Sequence, residues 1–196
     1  MARAAGCASE ATRRENRGNW RQADFFSATQ GCAAEKRGKK QMGKVEDYWN
    51  NFVKEHGGKE KLPYAGEMSF GIDEQMAVEL TAMVLFGKKR GTTSALEAYK
   101  IDNEPLPKAG TYCVLTDWNG NPCGIIQEVS VEILPYNQVP WSMAEKEGED
   151  DNLESWRRNH DEFFEEDADI MGYEFKPDML VVFEEFRLVH KGPINS

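Results

Sequence analysis

The most chemically distinctive stretch of the sequence is GKKRGTTS at residues 87–94, which holds three cations and three hydroxyls. Lysine and arginine donors, together with backbone N–H groups, can receive a phosphate or a carboxylate in such a stretch. The order differs from GxxxxGK[ST], so the stretch is not a P-loop. Cations are also favourable at the negative end of a helix dipole, and the spacing alone favours this capping role. The candidate ligand-binding side chains are Lys88, Lys89, Arg90, Thr92, Thr93 and Ser94.

A second distinctive stretch, residues 145–169, holds twelve acidic and three basic residues. Carboxylates in such number could bind Mg²⁺ or Ca²⁺. The spacing of a calcium-binding loop is missing, and a run of charges is typical of a solvated helix face. We therefore predict no metal site and no cofactor here.

Within this acidic stretch, the residues WRRNH at 156–160 could place a tryptophan and a histidine on one helical face, where they could stack on a nucleobase. Apolar residues share that face, which favours a core position for both rings. These apolar residues are Leu153, Phe163 and Phe164. The sequence contains no GxSxG, HExxH or CxxC motif, so a serine hydrolase, a zinc protease and a thioredoxin have no support.

The composition excludes several classes of function. The chain has 196 residues, with 24 Lys and Arg against 34 Asp and Glu, and a net charge of −10. An acidic protein repels phosphates, so bulk DNA binding and membrane-surface binding are excluded. No apolar run is long enough to predict a membrane span. Four irregularly spaced cysteines fit neither a disulfide framework nor a zinc site, and we expect a cytoplasmic protein.

Residues 1–41 differ in composition from the rest of the chain. They hold nine basic and four acidic residues without hydrophobic periodicity, which predicts a disordered basic leader outside the fold. Such a leader could be a nucleic-acid-binding arm or a targeting peptide. An amphipathic pattern begins just after Met42, which favours a third interpretation, a stretch ahead of the true start. Residues 42–196 are expected to form a single domain.

The elements that must position these side chains follow from periodicity and residue type. Asn119-Gly120 predicts a hairpin turn, and 59–71 is predicted as a loop. The predicted helices are 44–56, 73–87, 94–99, 138–147 and one that follows Asn152, and the predicted strands are 111–118, 123–134 and 179–189. This order predicts an α+β fold with a small antiparallel sheet or barrel.

Five segments carry a resemblance to a known family. They are SFG at 69–71, DEQMAVELTAMVLFGKKRGTTSALEAY at 73–99, LPKAGTYCVLTDWNGNP at 106–122, AEKEGEDDNLESWRRNH at 144–160 and DMLVVFEEF at 178–186. In this order they resemble the ASCH domain family, most closely its longer bacterial branch, over residues 42–190. The resemblance implies a PUA-like fold, a small antiparallel β-barrel flanked by helices. It also implies RNA binding, and some small members hydrolyse N4-acetylcytidine to cytidine while a longer member is described as a ribonuclease.

The resemblance also implies which residues act. In the amidohydrolase members a helix ends in Gly-x-Lys-x-x-Thr, and Lys89 and Thr92 match this pattern. An acidic residue follows in an Ala-Glu-x-Glu segment, which Glu147 matches. These three residues are the expected catalytic group of a pocket that binds RNA or a modified nucleoside. The expected substrate-binding side chains are Lys88, Arg90, Thr93, Ser94, Phe70 and Arg157.

This catalytic group could hydrolyse the amide of an N4-acylated cytidine. A threonine hydroxyl needs an adjacent base, and a lysine can be that base if desolvation or neighbouring cations lower its pKa. Glu147 could protonate the leaving nitrogen, or it could pair with Lys89 and stabilise the ammonium, which would oppose the role of a base. The amidohydrolase members lack a helix at 153–175, so the alternative is an RNA-binding module or ribonuclease without amidohydrolase activity.

Overall fold

The computed structural model of the protein describes residues 39–56 and 61–192. In chain order the elements are α1 (Lys39–His56), β1 (Tyr64–Met68), α2 (Glu74–Leu85), β2 (Gly91–Ala95), α3 (Leu96–Ile101), β3 (Tyr112–Thr116), β4 (Pro122–Pro135), a 3₁₀ turn (Tyr136–Gln138), α4 (Trp141–Ala144), α5 (Leu153–Met171) and β5 (Leu180–Lys191). Among these helices, none has both the length and the apolar content needed to cross a bilayer.

The five strands form one open, mixed sheet in the order β1-β3-β4-β5-β2. β1 runs parallel to β3, and the other neighbouring pairs are antiparallel. The α+β class is confirmed, but the prediction of a closed, wholly antiparallel barrel is wrong. The physical reason is that the two outer strands, β1 and β2, are each only five residues long and do not pair with each other.

The long strand β4 organises the sheet. Its first part pairs with β3 through the predicted hairpin, in which Gly120 takes the positive φ of 76° that the turn requires. The strand then continues along β5 as far as Pro135, which pairs with Leu180. β5 lies between β4 and β2, so β2 forms one outer edge of the sheet and β1 forms the other.

Two strands lie where the sequence predicts none. β1 occupies part of the predicted loop at 59–71, and β2 occupies 91–95, where a basic loop and the start of a helix are expected. All five residues of β2 are buried, although three of them carry hydroxyl groups. α1 begins at Lys39, ahead of the predicted domain start, and the rest of the predicted leader lies outside the described residues.

Three groups of buried side chains hold the helices on the sheet. The predicted amphipathic face of α1 packs on β3 and β4, as its spacing of three and four residues predicts. α2 packs on the sheet beside β1, and α5 packs against the 3₁₀ turn and β5. The main contact residues are Trp49 and Phe52 of α1, Val84 and Leu85 of α2, and Trp156 and Phe164 of α5.

Candidate functional site

A cavity of about 400 Å³ lies between the segment before α2, the strand β2, the loop before α5 and one face of α5. Its wall combines residues from before and within α2, from 89–93, from the loop at 147–150 and from α5. The lining side chains that matter for the chemistry are Phe70, Lys89, Thr92, Thr93, Glu147 and His160.

The end of α2 determines which of the three consecutive cations points inward. Gly87 takes a left-handed φ of 77°, and the N–H groups of Lys88 and Lys89 both donate to the carbonyl of Met83. After this turn the Lys89 side chain is buried, whereas Lys88 and Arg90 are exposed and do not line the cavity. The structure therefore gives a buried position to one of the three cations.

Lys89 is held between two carboxylates. Its ammonium Nζ lies 2.6 Å from Glu149 Oε1 and 3.7 Å from Glu147 Oε2, and 5.4 Å from the centre of the Phe70 ring. Burial alone would lower the pKa of this ammonium, but Glu149 and then Glu147 outweigh burial and raise its pKa above the ordinary value. The lowered pKa that a lysine base would need is therefore not present, and Glu147 has the pairing role that the sequence left open.

Glu147 is a buried carboxylate whose two oxygens both have partners. Its Oε1 accepts hydrogen bonds from Thr93 Oγ1 at 2.7 Å and from Trp156 Nε1 at 3.0 Å. Its Oε2 faces Lys89 Nζ and His160 Nε2, the latter at 3.5 Å. Burial alone would raise the pKa of this carboxyl, but His160, Lys89 and the Thr93 hydroxyl lower it to about 2. Glu147 is thus suited to holding other groups in place rather than to giving up a proton.

The loop that carries Glu147 is fixed against the end of α2. Arg90 N–H donates to the carbonyl of Lys146 at 2.6 Å. Gly148 has a φ of 78°, and a Cβ built on it would lie 2.6 Å from the carbonyl oxygen of Lys88. Only glycine fits this close approach, which brings Glu147 and Glu149 up to Lys89.

His160 is a member of the site that the sequence assigns to the core. It is 13% exposed, lines the cavity and stacks on Trp156 with ring centres 4.0 Å apart. Its Nδ1 lies 3.0 Å from the carbonyl oxygen of Trp156 and its Nε2 faces Glu147. The available signal was the four-residue spacing from Trp156, which stacks the two rings on one helical face.

Trp156 is fully buried, as the sequence predicts, and it also serves the site. Its ring packs against Tyr136, with centres 5.6 Å apart, while its indole N–H donates to Glu147. The same side chain therefore connects the core under α5 to the cavity.

The hydroxyl side chains of β2 have three different surroundings. Thr92 lines the cavity, and its hydroxyl has no hydrogen-bond partner among the described residues. Thr93 donates to Glu147. Ser94 lies 3.0 Å from the hydroxyl of Tyr99, which in turn donates to Glu184, so Ser94 belongs to a separate buried network.

Arg157 lies outside the cavity wall. Its guanidinium donates to the backbone carbonyls of Tyr136 and Val139, and it lies 4.7 Å from the centre of the Tyr136 ring. These contacts fix the segment between β4 and α4 onto α5. They give Arg157 a structural role, while its predicted part in substrate binding stays a prediction.

The remaining charged side chains of the cavity wall are acidic. Besides Glu147, four carboxylates line it, and among the lining side chains only Lys89 and His160 can carry a positive charge. The additional acids are Glu149, Asp150, Glu162 and Glu166. An acidic wall repels phosphate groups, so the cavity suits a neutral polar ligand better than a nucleic-acid backbone.

The group of described residues that could hold a metal ion lies elsewhere on the surface. One ligand atom each from Glu55, His56 and His190 lies within 4.8 Å of the others. Glu55 and His56, which belong to α1, are exposed, and none of the three residues lines the cavity.

Comparison with known proteins finds an ASCH domain over residues 66–190, a range that contains every side chain lining the cavity. No protein with a curated description matches the chain. A crystal structure from Enterococcus faecalis V583, assigned to the DUF984 family, is 36% identical with a TM-score of 0.68 and covers 76% of this chain and 90% of its own. An ASCH domain from Lactobacillus crispatus JV V101 is 32% identical with a TM-score of 0.66, covering 80% and 98%. The chain therefore belongs to the ASCH domain family.

Proposed function

We propose that the cavity binds a neutral modified nucleoside and removes the acyl group from an N4-acylated cytosine. The observation that carries this proposal is the buried ammonium of Lys89, which is paired with two carboxylates in the same cavity that Thr92 lines. The cavity thus offers a strong hydrogen-bond donor and a candidate nucleophile without an excess of positive charge. Such a site can exchange hydrogen bonds with a neutral base and its acyl carbonyl.

The volume of the cavity and the side chains in its wall support a nucleoside as the ligand. A volume of about 400 Å³ lies in the range of small-ligand pockets. Phe70 and Phe163 form an apolar part of the wall, against which a flat base could stack. A nucleic-acid strand would instead bring several phosphates close to Glu149 and Asp150, which line the same cavity.

In the proposed reaction, the Thr92 hydroxyl oxygen attacks the acyl carbonyl carbon. The Thr92 hydroxyl passes its proton to Lys89 as Lys89 passes one of its own to Glu149, whose Oε1 lies 2.6 Å away, so Glu149 is the base and Lys89 remains an ammonium that relays the proton. The C–N bond breaks as Lys89 passes a proton to the cytosine amino group and takes back the proton held by Glu149, which leaves the acyl group esterified to Thr92. Water then attacks the ester carbonyl carbon, the C–O bond to Thr92 breaks and the Thr92 oxygen takes one proton of the water, so the acyl group leaves as the carboxylic acid and Lys89 and Glu149 are back in their starting states. Glu147 stays ionised and holds Lys89 and His160.

The direct test is incubation of the full chain with N4-acetylcytidine while acetate and cytidine are measured. Lys89→Ala and Lys89→Arg should both reduce turnover by about 100-fold or more, because guanidinium keeps the charge but cannot give up its proton. Thr92→Val should do the same. Thr81→Val is the matched control, since Thr81 is buried on α2 outside the cavity wall and its hydroxyl has no partner among the described residues.

Two results would contradict the proposal. One is the absence of turnover by folded wild-type protein. The other is full turnover by one of two variants. Full turnover by Lys89→Arg would show that Lys89 transfers no proton, and full turnover by Thr92→Val would show that Thr92 is not the nucleophile.

The second candidate function is an RNA-binding module or ribonuclease without amidohydrolase activity. The observation in its favour is that Lys88 and Arg90 are exposed next to the site and form no ion pair with any described residue. A nucleoside pocket predicts an affinity that barely changes with salt, whereas an RNA strand bound by these cations predicts a steep decrease. Lys89→Arg should preserve RNA binding, since arginine is a good phosphate partner.

A further inference from the structure

A second cavity, of about 580 Å³, lies on another part of the sheet and shares no lining residue with the first. Its walls are β1, the segment 102–108 that follows α3, and parts of β3, β4 and β5. No residue of the proposed catalytic group reaches it. Its own chemistry therefore needs a separate explanation.

Two buried glutamates line this cavity. Glu128 on β4 is 2% exposed and Glu184 on β5 is fully buried. Glu128 pairs with Phe186 across the two strands, and Glu184 is two residues before Phe186, so the two carboxylates lie diagonally on the same face of the sheet.

Three of the four carboxylate oxygens have no hydrogen-bond donor among the described residues. They are both oxygens of Glu128 and Oε2 of Glu184. The remaining oxygen, Oε1 of Glu184, accepts from the hydroxyl of Tyr99 at 3.1 Å. Buried carboxylates are normally paired or hydrogen-bonded, so this arrangement favours a ligand that supplies donors.

The rest of the wall indicates the character of that ligand. Three further acids line the cavity with Lys108 as the single lining cation, so the cavity attracts positive charge. Its other lining side chains are mainly apolar and would pack against a hydrocarbon chain. The acids are Glu67, Asp102 and Glu104, and the apolar side chains are Tyr64, Met68, Pro105, Leu106 and Pro107.

An organic cation fits this wall better than a metal ion. A hard divalent ion requires six or more oxygen ligands at short distance. Among the described residues, the group of three ligating side chains within metal-binding range is Glu55, His56 and His190, which lies outside this cavity. An ammonium group, in contrast, has three N–H donors, which equals the number of carboxylate oxygens without a donor.

We propose that this second cavity binds a small aliphatic diamine or polyamine, with one ammonium group on Glu128 and Glu184 and the hydrocarbon chain along the apolar wall. Asp102, which is exposed at the end of α3, and Glu104, two residues further on, can take the second ammonium group at the entrance. The ligand is thus recognised at both ends by charge and along its length by packing.

Proton release should accompany binding. Burial raises the pKa of Glu128 to about 8, so this carboxyl retains its proton at neutral pH, and burial together with the nearby Glu128 also raises the pKa of Glu184. An ammonium favours their ionised form, so the affinity should increase from about pH 6 to about pH 8. The other titratable or charged groups that line the cavity or contact the pair are Tyr64, Glu67, Tyr99, Asp102, Glu104, Lys108 and Cys113. Burial raises the pKa of Tyr64, Tyr99 and Cys113 away from this interval.

Calorimetry on the full chain with 1,4-diaminobutane and spermidine tests the proposal. Wild-type protein should bind the amines and release protons, seen as a heat that depends on the buffer, and butane-1,4-diol should not bind. Glu128→Gln and Glu184→Gln should each weaken binding by about tenfold or more, because each removes charge-assisted hydrogen bonds. Glu132→Gln, an exposed position on the same strand as Glu128, is the matched control and should bind like wild type.

Three outcomes would overturn the proposal. The first is no binding of either amine by wild-type protein up to about 10 mM, a limit that corresponds to very weak affinity. The second is equal binding of the amine and the diol. The third is wild-type affinity in both Glu128→Gln and Glu184→Gln, each checked for folding by its thermal transition.

Discussion

Glu147 supplies the sharpest test of the site, because its contribution to stability depends on pH in a defined direction. The substitution Glu147→Gln keeps a carbonyl oxygen that can accept from Thr93 and Trp156. It replaces the other oxygen with an amide NH₂ group, which then faces the donors of Lys89 and His160. Removing one partner from a buried charge pair costs about 3–5 kcal/mol, and we expect a loss of this size near pH 7.

The sign of the pH effect follows from the lowered pKa. The pKa of Glu147 falls from 4.5 to about 2 on folding, so the stabilisation is fully present above pH 4.5 and is lost as the pH falls towards 2. A difference of 2.5 pKa units corresponds to about 3 kcal/mol, of which about 2 kcal/mol should already be lost between pH 6 and pH 3. The glutamine variant lacks this contribution, so its deficit relative to wild type should shrink by about 2 kcal/mol over the same interval.

Urea unfolding of both proteins at pH 6, 4 and 3 measures this difference. Glu145→Gln is the matched control, because Glu145 is exposed in the same loop and should change stability little at any pH. Other carboxyls titrate in both proteins, and the difference between them isolates Glu147. A deficit of constant size across the interval would refute the lowered pKa of Glu147, and with it the role of Lys89 and His160 in lowering that pKa.

Three further outcomes are expected. Trp156→Phe should cost about 1–3 kcal/mol in urea unfolding, because it leaves Glu147 without its indole donor, whereas Trp156→Ala should cost about 3–5 kcal/mol because it also opens a cavity. Glu128→Gln should be more stable than wild type, and this gain should be larger at pH 8 than at pH 5 by more than about 1 kcal/mol. The reason is that burial raises the pKa of Glu128, so its ionisation at high pH opposes folding of the wild type. Deleting residues 1–38 should leave the melting temperature within about 2 °C, and a large decrease would show that the segment packs on the domain.

The parts of the fold that are visible in the sequence are those whose burial produces a hydrophobic pattern. The helices α1 and α5 bury one apolar face that repeats with the helical period, whereas β3 and the first part of β4 are buried on both faces and form continuous apolar runs. β2 carries no such pattern, because Thr92, Thr93 and Ser94 face polar partners or the cavity. β1 is a short edge strand whose pairing with β3 is interrupted between Tyr64 and Gly66.

The candidate site was visible in part for a related reason. Lys89, Thr92 and Glu147 belong to motifs with a fixed order in the chain, and the structure brings all three to one cavity. No motif identifies Glu149 or His160 as a site residue. Glu149 belongs to an acidic run that is typical of a solvated face, and His160 continues the apolar stripe of α5. Their roles depend on where the loop before α5 and the helix itself meet β2, and this is a tertiary property.

The two cavities use buried carboxylates in opposite ways. Glu147 has partners on both oxygens and a pKa lowered to about 2, so it orders the groups around it. Glu128 has no donor among the described residues and a raised pKa, so its burial weakens the folded state at neutral pH. A bound ammonium and the substitution Glu128→Gln relieve the same unfavourable burial. Each should therefore raise the melting temperature, but the gains should not add: 1,4-diaminobutane should stabilise wild type and the Glu132→Gln control, and leave Glu128→Gln almost unchanged.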